Sequence, residues 1–234
     1  MTPPLTKVNW PRATRIIRYR HPPIDLFEDI ADPADWELLA AVEARSNPRI
    51  LDLSGRLDLV PAEQRVSGPG ASLVMAPFTH ISTDRPSRFS NGSYGVYYCG
   101  DRYEVALFET IHHHEIFMLR TAEPAGWASD FRELTGVLSV ELHDLGGLPA
   151  AFEEILNPAD YSHSQPFAAE LRKSDCNGLA WKSVRYGAGE AAGIFRPNLI
   201  AIPQQGRQLC YHWNGSRVDR VRDLGSREIF AIHI

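Results

Sequence analysis

The stretch Ser87 to His114, SRFSNGSYGVYYCGDRYEVALFETIHHH, does most to limit what this chain can become. Gly92-Ser93 marks a turn. Tyr94 to Cys99 is aromatic and β-branched, which predicts a strand. Asp101, with Glu104 three residues on, resembles the capping arrangement that opens a helix. Tyr103, Ala106, Leu107 and Ile111 then share one helical face. Val105 and Phe108 widen it, so the helix is expected to be buried on most sides. Glu109 sits within that apolar helix, where a carboxylate must find donors or have its pKa raised. Spacing leaves two readings open: an ion pair tying helix to sheet, or a functional carboxylate.

Three histidines follow, His112 to His114. On a helix they fan out about 100° apart and cannot hold one ion together. Met118 stands where an HExxH pattern would need its second histidine, so no metal is expected. The remaining readings are a partner for the helix's C-terminal carbonyls or one histidine near a ligand phosphate. There is no GxSxG elbow and no P-loop. Gly187-Ala188-Gly189 lacks the GxGxxG spacing, since Ala192 holds the last position. A bound nucleotide would therefore depend on arginines, aromatics and a carboxylate.

With 234 residues, 44% of them hydrophobic, the chain can build one domain with a sizeable core. A net charge of −5 and a pI near 6.0 give no global sign of nucleic acid or anionic membrane as partner. Cys99, Cys176 and Cys210 are far apart, odd in number and form no CxxC pair, which argues against disulfides and zinc-thiolate sites. The N-terminus has no apolar core between its charges, and no apolar run approaches a membrane span. A cytoplasmic protein is the expectation.

Taken in order, residues 1–10 read as a loose lead-in and Thr14 to Tyr19 as a short strand. Of the four arginines between Pro11 and Arg20, one is a candidate for a phosphate-receiving site, Arg15 or Arg18. Residues 25–80 read as a helical and loop elaboration. Asp32-Pro33-Ala34-Asp35 opens a helix with a Trp36, Leu39, Val42 stripe that stops before Asn47-Pro48. A short helix follows from Pro61, and Pro77 to Asp84 is expected to be extended. Ile116 to Leu119 is either more helix or a strand. Short helices are expected over Pro149–Leu156 and Pro166–Lys173. Strands are expected at Val137–Leu142, Gly178–Val184, Gly193–Phe195, Leu199–Ile202, Gln208–Trp213, Ser216–Val221 and Ile229–Ile234. Asn214-Gly215 signals a hairpin. Helices first and strands later predict one α+β domain with a largely antiparallel, two-layer sheet core.

The sequence resembles the RES domain family, named for an Arg, a Glu and a Ser. The arginine precedes a glycine turn, as Arg88 does in SRFSNG. The tyrosine lies eleven residues before the glutamate, as Tyr98 and Glu109 do in YCGDRYEVALFE. The serine matches Ser183 in GLAWKSVR, with Trp181 two residues before it. Gln165 fits an upstream glutamine, and Arg15 fits an early strand arginine ahead of Pro22-Pro23. The resemblance implies a fold like that of ADP-ribosyltransferases, with two packed, largely antiparallel sheets and flanking helices. It also implies NAD as substrate, with Glu109, Arg88 and Ser183 catalytic and Arg15, Tyr98, Gln165 and Trp181 binding NAD. Such proteins resemble toxins of type II toxin–antitoxin pairs, held by an Xre-like helix-turn-helix antitoxin. Some degrade NAD by hydrolysis or phosphorolysis, and others transfer ADP-ribose to a protein acceptor. No direct contact with nucleic acid or membrane is implied. The alternative is an inactive RES-like binding module, whose mark would be a missing Arg, Tyr, Glu or Ser. All four have candidates here.

Overall fold

The computed structural model describes residues 2–19, 32–45, 55–146 and 150–232. The Pro22-Pro23 pair and the expected stop at Asn47-Pro48 lie outside them. Eight strands are hydrogen-bonded in the order β1–β2–β5–β4–β3–β6–β7–β8. They are β1 Leu5–Arg18, β2 Tyr97–Gly100, β3 Ala128–Asp144, β4 Gly178–Lys182, β5 Glu190–Ile194, β6 Gln204–Trp213, β7 Val218–Asp223 and β8 Ile229–Ala231. Strand β1 also pairs β3, so β1, β2, β5, β4 and β3 close on one another while β6 to β8 extend outward from β3. All pairings are antiparallel except β3 with β4.

Where two packed sheets are expected, the hydrogen bonding runs through a single sheet. The reason lies at Pro11. The β1–β3 register pairs Trp10 with Leu138 and Ala13 with Gly136, leaving two residues of β1 opposite one of β3. Proline cannot donate to a ladder, and such a bulge bends a strand. The two halves of β1 then serve different cores. Val8 packs with Leu138, Val140, Leu142, Trp36 and Phe78. Ile16 packs with Leu107, Ile111, Phe131, Tyr211 and Trp213. One bent strand pair thereby does the work of two layers. The first ten residues are no loose lead-in either, because Leu5 to Trp10 are paired with Leu138 to His143.

Four α-helices lie among the described residues: α1 Trp36–Glu43, α2 Ser72–Thr79, α3 Tyr103–Thr121 and α4 Ser164–Lys173. Helix α1 begins a turn later than Asp32, whose carboxylate instead accepts the Ala34 N–H at 2.9 Å. Helix α2 replaces the start of the extended segment expected from Pro77. It buries Leu73, Val74, Met75 and Phe78, and that burial outweighs the hydrogen bond lost at Pro77. The Leu199–Ile202 strand is replaced by a 3-10 turn at Pro197–Leu199, because Pro197 and Pro203 deny that segment ladder donors. Ile116 to Leu119 continue α3, which ends only at Ala122 in the left-handed region, φ 53°. The three histidines are thus mid-helix and cannot cap its C-terminal carbonyls.

Helix α3 begins without a side-chain cap. Asp101 accepts the Glu190 N–H at 3.0 Å and pairs with Arg102 at 2.8 Å. It therefore ties the helix entry to β5. Gly100 and Gly189 let the first turn of α3 come close: a Cβ at either would stand 2.6 Å or 2.5 Å from the Val105 side chain. This contact fixes the depth at which Glu109, one turn further on, meets the sheet.

Because residues 5–9 are ladder and core, removing residues 2–9 is expected to cost roughly 3–5 kcal/mol through lost Val8 burial and strand hydrogen bonds. The melting midpoint should fall by about 10 °C, read by calorimetry of the truncated and full-length chains. Equal midpoints would restore the loose lead-in.

Candidate active site

A cavity of about 330 Å³ opens where β1, β2, β4 and β5 meet α3 and the loop before β2. Arg15, Arg88, Tyr98, Glu109, His113 and Trp181 all line it. Six of the side chains just named come from five segments of the chain, and the β1 bulge, the close approach of α3 and the β4–β5 pairing bring them together.

Arg15 leaves the second half of β1. Its Nη1 donates to the Tyr98 carbonyl at 2.8 Å, and its guanidinium lies 4.7 Å from the Tyr97 ring centroid. Arg18 instead reaches His114 at 3.1 Å and lies over Phe117, away from the cavity lining. Arg15 is therefore the arginine of the first strand that faces the cleft. Arg88 donates through Nη1 to the Asn157 carbonyl at 2.6 Å and stacks 4.9 Å from the Tyr161 ring centroid. Burial pushes the pKa of both arginines down. Among the described residues neither makes an ion pair with a carboxylate. Arg88 feels the charge of Glu109, whereas no carboxylate acts on Arg15 among the described residues; desolvated cations with so little counter-charge are costly, so the pair fits an anionic ligand.

Glu109 accepts a hydrogen bond from Ser183 Oγ at 3.3 Å. Burial pushes its carboxyl above the ordinary range, against the charges of Arg185 and Arg88 and the Ser183 hydroxyl, which pull it down. Ser183 is buried at the end of β4, and its oxygen accepts the N–H groups of Arg185 and Tyr186 at 3.3 and 3.1 Å. With the oxygen occupied as acceptor, the hydroxyl hydrogen is left for Glu109.

Tyr98 and Trp181 form the apolar wall, edge to face with centroids 6.3 Å apart. The Tyr98 hydroxyl is committed to the loop: it meets Ser87 Oγ at 2.9 Å and accepts the Phe89 N–H at 3.0 Å. Burial raises its pKa well above the phenol's ordinary value, so it stays neutral. Gln165, expected to touch substrate, does not line the cavity. Its Nε2 donates to the Ser87 carbonyl at 2.9 Å, beside Ser164 Oγ on the Arg88 carbonyl at 2.6 Å. Both come from the start of α4 and hold the Ser87–Arg88 backbone from behind.

No local pattern points to Tyr161, which reaches Arg88 only through tertiary folding. Arg185 was visible in GLAWKSVR without a role. Its Nη2 lies 2.8 Å from His112 Nε2 and also donates to the Pro158 carbonyl. Of the three histidines, His113 lines the cavity. His112 is pushed down to about 4 by burial and by the Arg185 charge, so it is neutral at pH 7. Among the described residues no group of three or more His, Cys, Asp or Glu side chains could hold a metal ion. None of the described helices is long and apolar enough to cross a membrane.

The architecture is mixed α/β, and its site is a small chamber with one buried carboxylate, two unpaired arginines and an aromatic wall. The RES domain family matches residues 62–214, well over half of the chain, and the protein belongs to that family. Arg88, Tyr98, Glu109, Gln165, Trp181 and Ser183 fall inside the matched span, and Arg15 precedes it. No curated protein matches the sequence. Among solved structures, the chain is similar to one in the crystal structure of the M. tuberculosis MbcT–MbcA toxin–antitoxin complex. Identity is 14%, with 52% of this chain and 69% of that chain covered and a TM-score of 0.39, too low to define a common fold.

Tyr98→Phe tests the loop's anchoring. It strands the buried Phe89 N–H and should cost about 1–3 kcal/mol, read as a lower midpoint in urea denaturation. An unchanged midpoint would mean that the hydroxyl does not hold the loop.

Proposed function

We propose that this protein binds NAD and cleaves its nicotinamide–ribose bond, as the toxin of a toxin–antitoxin pair. The observation that carries the reading is the meeting in one cavity of Glu109, held from behind the lining by Ser183, with two arginines, Arg15 and Arg88, that make no ion pair among the described residues. Its 330 Å³ is at the small end of ligand sites and suits the nicotinamide riboside end of a dinucleotide.

Loss of nicotinamide leaves oxocarbenium-like positive charge on the ribose, as in glycoside cleavage. An ionised Glu109 would stabilise that charge and hydrogen-bond a ribose hydroxyl, acting from a site where its own solvation is already removed. Ser183 orients the carboxylate by donating to one of its oxygens. Arg15 and Arg88 would take the pyrophosphate, where forked donors match phosphate oxygens. The Tyr98–Trp181 wall would receive the nicotinamide ring. Gln165 supports the Arg88 loop in this account and does not contact substrate.

The acceptor is water, phosphate or a protein, and NAD labelled in its ADP-ribose half separates them. Label on a protein marks transfer, while free ADP-ribose or its phosphate marks degradation. An Xre-like antitoxin partner would cover the cleft, and the activity would be a cytoplasmic one. Expression in a bacterial host should stop growth and lower cellular NAD, and the antitoxin should restore both.

Glu109→Gln keeps the shape of the side chain and removes its charge. It should lower nicotinamide release by about 10²-fold or more with an unchanged circular dichroism spectrum. A folded variant with wild-type release would sink the proposal. Because burial raises the Glu109 carboxyl, and the ionised form is the active one, kcat/KM should fall on acidification at a pH above the ordinary carboxylate range. A pH profile of nicotinamide release checks this.

A further inference from the structure

The turn joining β4 to β5 grips α3 on both sides of Glu109. On one side the Tyr186 ring stacks on Phe108, with centroids 5.6 Å apart and planes 6° from parallel. On the other, Arg185 Nη2 meets His112 Nε2 at 2.8 Å. Phe108 and His112 are four residues apart and so neighbours on one helix face, with Glu109 beside them. The same turn supplies Ser183, which accepts the Arg185 N–H and donates to Glu109. Arg185 also reaches the Pro158 carbonyl, next to the Asn157 carbonyl that holds Arg88. The two cations nearest the carboxylate are thus seated on consecutive carbonyls of one loop.

We propose that Arg185 and His112 form a positioning pair for Glu109, latching the β4–β5 turn onto α3 so that Ser183 and a fixed positive charge meet the carboxylate together. The inference rests on Glu109 being the ribose-side carboxylate argued above. His112 must be the acceptor in this contact, since a guanidinium has only donors. It can be, because burial and Arg185 hold the imidazole neutral.

The groups around Glu109 come from several elements: Ser183, Arg185 and Arg88 act on its carboxyl, Arg15, Tyr98, Tyr161 and His113 line the same cavity, and His112 lies on its own helix. Of these, Arg185 and Arg88 are the charges that favour its ionised form, and Arg185 has the larger effect. Removing the Arg185 charge should therefore raise the Glu109 pKa and move the acid limb of kcat/KM to higher pH. A bond that only braced the fold would lower activity without moving that limb.

The test has two arms. In the first, the Glu109 carboxyl is titrated by NMR in protein carrying carbon-13 glutamate, without NAD, its signal assigned by its loss in Glu109→Gln. Arg185→Gln should titrate at higher pH than wild type; an unmoved titration overturns the proposal. The second arm compares His112→Gln, whose amide oxygen can still accept from Arg185, with His112→Leu, which cannot. Gln should keep kcat for nicotinamide release near wild type, and Leu should lower it about tenfold, with KM little changed. Equal kcat in the two variants overturns the proposal, and this arm decides alone if Arg185→Gln fails to fold. Should wild type release no nicotinamide, the NAD reading fails. The titration, extended to the two His112 variants, would still decide whether the pair sets the state of Glu109, with only Leu expected to shift it.

Discussion

The antiparallel pairing of β1 with β3 is the constraint on which the rest of this structure depends. It joins residues more than a hundred positions apart in sequence. The bulge at Pro11 divides it into two straight halves that face different cores. Without that bend, Val8 and Ile16 could not both be buried in separate clusters. Arg15 lies just past the bend, where β1 also touches β2 through the single pair Thr14–Gly100. The geometry that closes β1 onto β2 and β3 therefore also delivers the first arginine to the cavity.

Electrostatic imbalance is concentrated at the site, although Arg132, buried in β3 away from the cavity, is likewise met by Gln205 Oε1 and the Tyr19 ring rather than by a carboxylate. Glu133, wholly buried in β3, is met by Arg12 at 3.3 Å and by the Arg207 N–H at 3.2 Å. In the cavity the matching is left incomplete: Arg15 and Arg88 donate to backbone carbonyls, and Glu109 takes its hydrogen bond from a neutral hydroxyl. Carbonyl dipoles orient the two arginines without neutralising them, so their charge stays available to an anion. The aromatic rings beneath them, Tyr97 and Tyr161, stabilise the cations to a similar limited degree.

Much of the architecture was legible in the sequence where local pattern and tertiary role coincide. The apolar helix around Glu109, a strand expected over Tyr94–Cys99 and found at Tyr97–Gly100, the paired strands about Asn214-Gly215 and a mixed, mostly antiparallel architecture all follow from periodicity and turn chemistry. Reading failed where the chain breaks its own local rules. Leu5 to Trp10 is half polar and fully buries Val8 alone of its apolar side chains, so no clear alternation announces a strand. Helix α2 contains a proline and follows a Gly-Pro-Gly turn, yet forms because its face is buried. At the site, family spacing picked out residues that line the cavity, among them Arg15, Arg88, Tyr98, Glu109 and Trp181. It could not tell a ligand contact from a support: Gln165, expected to bind NAD, donates to the Ser87 carbonyl outside the cavity lining. Nor could it find Tyr161 or the Arg185–His112 contact, since both depend on a loop and a turn brought together by folding.

The long reach of β1 also bears on when the cavity can exist during synthesis. Arg15 is among the first residues made, but its partner Leu134 comes more than a hundred residues later, and Ser183 later still. Contacts that span so much chain form late, because a large loop must close before they repay its entropy. A nascent chain therefore carries Glu109 on its helix long before it has the strand that aims Arg15 or the serine that orients the carboxylate. The chamber is assembled as one of the last acts of folding, and a chain that stops short of β4 has Arg15, Arg88 and Glu109 without the site.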